Sequence, residues 1–169
     1  DQRTGYVYWG EVGPDAGGDG PRGSRGYDEI NQARFAGNFG WPYFVGRNFP
    51  YADYDYASKT VGPLYDPARP VNQSPNNTGA KILPPAQPAF IYWPYAQSKE
   101  FPMLGSGGRT ACAGPVFHFK PGFRNTGGFP EHFDNSLLFY DWQRPFIKWA
   151  RLSQNSNLQS IEPFTSAVT

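Results

Sequence analysis

The chain has 169 residues and a formal net charge of +1, which allows one ordinary domain and supplies no basic field for nucleic acid. No run of Lys or Arg tracks a phosphate backbone, and no stretch approaches the roughly 18–20 consecutive apolar residues that span a bilayer. The 20 glycines and 18 prolines cut the chain into short pieces, and with aromatic residues at 18% the apolar content is carried by large rings, so the expected fold class is all-β.

Residues 5–12, GYVYWGEV, alternate ring-bearing and small or polar positions and predict a strand. Glycines at 13, 17, 18, 20, 23 and 26 then make a long loop. The segment YDEINQARFAGNFGWP reads as one or two helical turns around Glu29 to Phe35, ended by Gly37 and Pro42.

Residues 47–87 form a loop-rich insertion, too proline-rich for central strands and too aromatic for a free linker, and are expected to lie ordered on the scaffold. AFIYWPY and RTACAGPVFHF each predict a strand, and NSLLFYDWQRPFIKWARL predicts a hairpin turning near Gln143, Arg144 and Pro145. The start at Asp1 and the ending SIEPFTSAVT, without a closing element, read as those of a fragment.

Cys112 stands alone, so an intrachain disulfide and a CxxC site are excluded, and it is expected as a small buried apolar residue. Arg22, Arg25 and Arg109 sit among glycines and read as solvated loop arginines. His118 and His132, the two histidines, read as packing residues. Asn72-Gln73-Ser74 and Asn76-Asn77-Thr78 match the N-glycosylation acceptor pattern, with Pro75 unfavourable to the first.

One set of motifs goes further. Glu11, Gly13 and Pro14, then Asp28-Glu29-Ile30-Asn31, then Gly37-Asn38-Phe39-Gly40-Trp41-Pro42 resemble the quinoprotein sugar dehydrogenases, the glucose and sorbosone dehydrogenase family. GPVFHFKPG and GGFPEHFDNSLLFYDWQR extend the resemblance, which covers residues 5–46 and 88–152. The resemblance implies a partial β-propeller, about two blades of a six-bladed fold, with residues 1–169 belonging to one propeller domain.

It also implies pyrroloquinoline quinone and calcium as cofactors, a sugar or polyol as substrate, and a periplasmic or extracellular location. By resemblance, the carbonyls of Gly13 and Pro14 hold a calcium on the quinone, Glu29 and the Phe39 carbonyl hold a second, structural calcium, and Lys120 and Arg144 contact the quinone. Trp142 is placed to stack on a flat ring. Arg47-Asn48 stands where the family offers another carboxylate. Neither histidine falls at the family's general base, so catalysis would need the remaining blades of the same propeller or neighbouring chains. The alternative is a propeller used as a non-catalytic binding or structural module of a secreted multidomain protein.

Overall fold

The computed structural model describes residues 1–164, and these are all-β: eleven strands in antiparallel sheets, with three short 3-10 turns and no α-helix among the described residues. No helix there is long and apolar enough to cross a membrane. A three-stranded sheet has the order β1 (Val7–Glu11), β2 (Asp28–Ala33), β7 (Ile91–Trp93). A four-stranded sheet has the order β11 (Leu158–Pro163), β10 (Phe146–Leu152), β9 (Ser136–Asp141), β8 (Ala111–Phe117). No propeller is evident among the described residues.

The two sheets share one core. Ile30, Ile91 and Trp93 of the first pack with Ala111, Leu137, Phe139 and Ala150 of the second, and Phe101 and Leu104 close the cluster. Strand β1 approaches β8 closely enough that a Cβ on Gly10 would lie 2.4 Å from the Ala111 carbonyl oxygen. Only glycine permits that approach.

The strands expected within residues 5–12, 89–95, 109–119 and 135–152 are present, and the turn after β9 falls at residues 142–145. Four expectations are corrected. Asp28–Ala33 is a strand, not helical turns: it pairs with β1 on one side and β7 on the other, and Asp28, Glu29, Ile30 and Asn31 are all buried. Two flanking ladders outweigh the modest strand preference of Asp, Glu, Asn and Gln.

The segment leading to the ending is not without an element, since Leu158–Pro163 forms a strand paired with β10; residues 165–169 lie outside the described part. The insertion is also more regular than expected. It contains the hairpins β3 (Phe44–Val45) with β4 (Phe49–Pro50), and β5 (Ala52–Asp55) with β6 (Thr60–Leu64), where Pro63 occupies an exposed edge strand. Cys112 is half-buried rather than buried, because β8 is an edge strand of its sheet.

Candidate metal centre and the loop beside it

Strand β2 separates its two adjacent carboxylates, because successive side chains on a strand point to opposite faces. Glu29 lies opposite Glu11 of β1 and opposite Tyr92 of β7, while Asn31 lies opposite Trp9. Glu11, Glu29, Asn31 and Trp9 therefore occupy one face, and Asp28 and Ile30 the other.

On the Glu29 face the polar groups are tightly gathered. Glu29 is 2% exposed, and its Oε2 accepts the Gly46 N–H at 3.1 Å. Glu11 Oε2 accepts from Trp9 Nε1 and from Asn31 Nδ2, both at 3.3 Å. The Trp9 ring meets the Phe39 ring edge to face at 4.8 Å between centroids, which brings the GNFG turn to this face. Asn31 is fully buried, and its Oδ1 has no hydrogen-bond partner among the described residues.

Burial, reinforced by the like charge of Glu11, pushes the Glu29 carboxyl up to about 8. The arrangement is short of positive charge: two facing carboxylates and an unsatisfied amide oxygen, with no Lys or Arg paired to either glutamate among the described residues. A hard divalent cation with oxygen ligands resolves all three. Glu11, Glu29 and the Asn31 amide oxygen, with a backbone carbonyl such as that of Phe39, fit calcium by donor type. No group of three or more His, Cys, Asp or Glu side chains converges among the described residues, so the amide and carbonyl donors complete the set.

The opposite face holds the glycine-rich loop. Asp28 Oδ1 accepts the Gly13 N–H at 3.2 Å and Oδ2 accepts the Ala111 N–H at 2.8 Å. The buried Arg109 lies 3.1 Å from Asp28, donates to the Pro14 carbonyl at 2.9 Å, and stacks on the Tyr95 ring at 4.1 Å. Burial raises the Asp28 carboxyl, against the opposing pull of the two N–H groups and of Arg109. Arg109 is thus no solvated loop residue; it ties the Gly-Pro loop to the start of β8. The other two loop arginines differ: Arg25 pairs with Asp19 at 2.7 Å, and Arg22 is exposed.

The quinone contacts implied by resemblance do not assemble in this chain. The Pro14 carbonyl already accepts from Arg109 and from the Ala16 N–H at 2.8 Å, and a Cβ on Gly26 would lie 1.7 Å from that oxygen. It is closed in, with both lone-pair directions used. Arg144 donates through Nε to the Gly108 carbonyl, through Nη1 to those of Leu104 and Gly105, and through Nη2 to those of Pro94, Tyr95 and Gly107. A guanidinium has five N–H groups, and these carbonyls take them all.

Lys120 is exposed beyond the far end of β8, whereas Gly13, Pro14 and Arg144 lie near its beginning; seven residues of strand, on the order of 20 Å, separate the two ends. The structure therefore brings Gly13, Pro14 and Arg144 to one neighbourhood and leaves Lys120 out of it. Trp142 is 75% exposed. His118 bonds Asp1 at 2.6 Å and His132 packs against Phe133, so neither histidine reaches the Gly-Pro loop.

The resemblance implies no ligand role for Glu11 or Asn31 and no loop-anchoring role for Asp28 or Arg109; the strand register and the fold bring these in. The period-2 pattern on β2 was the available signal for Asn31, two positions from Glu29. Nothing in the sequence indicates the partner of Arg109.

No family model, curated protein or solved structure matches this chain.

Proposed function

We propose that this chain is the calcium-binding part of a quinoprotein-type sugar dehydrogenase propeller, with the ion held by Glu11, Glu29, Asn31 and the Phe39 carbonyl. The observation that carries the reading is the half-buried Glu11 set opposite the buried Glu29, with the buried and unsatisfied Asn31 Oδ1 on the same strand face, within the motif string that resembles that family. In this reading the two sheets are adjacent partial blades of a six-bladed propeller, completed by further blades or neighbouring chains, and the substrate is a sugar or polyol met in the periplasm or outside the cell. The calcium neutralises the carboxylate pair and stiffens the segment between β1 and the GNFGWP turn. Asp28 and Arg109, on the other face of the same strand, hold the Gly13–Pro14 loop.

Pyrroloquinoline quinone, when bound, accepts the hydride in this chemistry. Because Pro14 and Arg144 spend their polar atoms within the chain, the groups that grip the quinone must come from elsewhere. That same commitment favours a second reading, a calcium-stiffened propeller module that binds or supports without catalysing.

The calcium reading is tested by elemental analysis. One tightly held calcium per chain is expected, lost in Glu29→Gln and weakened in Glu11→Gln; equal calcium in all three proteins would overturn it. Dye-linked oxidation of glucose and polyols by the propeller completed with its further blades, supplied with quinone and calcium, separates the two functions: turnover supports the dehydrogenase, and retained calcium without quinone binding supports the module.

A further inference from the structure

Beside the glycine-rich loop lies a cleft of about 640 Å³, within the roughly 300–1,000 Å³ of small-molecule sites. One wall is the loop from Pro14 to Ser24; the other is built by Trp41, Tyr43 and the insertion hairpin that carries Tyr54, Tyr56 and Tyr65. The walls are tied together by backbone bonds. Ala52 N–H donates to the Arg22 carbonyl at 3.0 Å, Ser24 N–H to that of Pro50 at 3.1 Å, and Tyr51 N–H to that of Tyr43 at 2.9 Å. The cleft is therefore preorganised, which lowers the ordering cost of binding.

Its chemistry is specific. Trp41 and Tyr56 are 51% and 78% exposed, so their faces are open. Tyr43 and Tyr65 pack ring on ring at 4.1 Å between centroids, and the Arg22 guanidinium sits over Tyr54 at 5.1 Å. Tyr65 donates to Asp53 Oδ1 at 3.2 Å, and among the described residues nothing donates to Asp53 Oδ2. Burial and Asp53 push the Tyr65 phenol up to about 12, so it remains a donor at neutral pH.

We propose that this cleft binds a neutral saccharide, one pyranose face resting on an exposed ring and its hydroxyls bonded to Asp53 and the tyrosine rim. A pyranose presents a flat array of C–H groups on one face and hydroxyls at its edge, which matches open rings bordered by hydroxyl and carboxylate oxygens. A free carboxylate oxygen selects against the other occupant that aromatic grooves take, a proline-rich peptide, which has carbonyl acceptors to offer and no proline N–H to donate. Arg22 supplies a single guanidinium, already placed over Tyr54, and the Asp53 carboxylate also lines the cleft, so the cleft makes a poor seat for a polyanion. The site uses neither the calcium donors nor a quinone, so it does not rest on the dehydrogenase reading.

The test is calorimetric and fluorescence titration of the protein with maltotriose, cellotriose, xylotriose and a decaproline peptide, with calcium content measured on the same samples. At least one trisaccharide is expected to bind. Trp41→Ala and Tyr56→Ala each remove an exposed ring and are expected to weaken binding about five- to tenfold with far-UV circular dichroism unchanged. Asp53→Asn is expected to weaken it by a similar factor. Absence of binding by every trisaccharide, binding unchanged in both ring variants, or decaproline binding in place of saccharide would each overturn the proposal. Saccharide binding by natural protein that holds no calcium would sink the metal reading alone.

Discussion

Replacing Glu29 by Gln is expected to stabilise the metal-free protein at mildly alkaline pH while abolishing its response to calcium. The Glu29 carboxyl, ordinarily near 4.5, is pushed up to about 8 by burial and by Glu11, so in the metal-free fold it keeps a proton that the unfolded chain releases. The folded-state value is the higher one. The contribution to stability is therefore fully present below about pH 4.5, is lost as pH rises towards 8, and levels off above that. At about 1.4 kcal/mol per pH unit the whole loss is on the order of 4–5 kcal/mol.

Gln has no proton to lose at this site, so the variant in chelator escapes the decline and overtakes the natural protein near the top of the window. Calcium inverts the comparison, because it takes the deprotonated pair and stabilises only the protein that has one, by about 2.7 kcal/mol when free calcium is a hundredfold above Kd. Urea denaturation followed by tryptophan fluorescence at about pH 5.5, 7 and 8.5, with chelator and with calcium, reads both effects. The difference between variant and natural protein cancels groups that titrate elsewhere. Metal-free stability with no fall attributable to Glu29 between pH 5 and 8, or a variant less stable than the natural protein in chelator at the highest pH, would refute the reasoning.

Arg144→Ala is expected to cost about 3 kcal/mol or more and to expose the segment from Pro94 to Gly108 to protease, because several carbonyls lose their donor together. Unchanged urea stability would show that those bonds do not hold the segment. Asp28→Asn leaves Arg109 buried without its counter-charge and is expected to cost about 3–5 kcal/mol, yet calcium content should persist because Asp28 points away from the Glu29 face. Calcium loss in a still-folded Asp28→Asn protein would contradict the division of the two faces.

Strands with strong alternation or β-branched and aromatic content, such as Val7–Glu11 and Phe146–Leu152, were legible because their own residues favour the pleated surface. Asp28–Ala33 was not, since its strand character comes from neighbours on both sides, one of them more than fifty residues away in β7. Glu29 was reached through the motif. The carboxylate that faces it depends on the register of β1 against β2, which local sequence does not specify. Arg144 stands at the turn where it was expected, but its donors point inward to carbonyls some forty residues earlier. Charge in a turn is equally compatible with solvent, ligand or backbone, and only the folded path of residues 94–108 decides among them.

The division of Asp28 and Glu29 between two faces gives β2 the character of a shared axle. One wheel is the candidate metal cluster, the other the loop anchored through Arg109, and neither can be shifted along the chain without turning the other. A slip of one residue would present Asp28 to Glu11 and swing Glu29 onto Arg109, exchanging a cation-demanding pair for an already neutralised one. Length changes within residues 28–33 are therefore far more disruptive than substitutions there, and the spacing of this short segment carries as much information as its side chains.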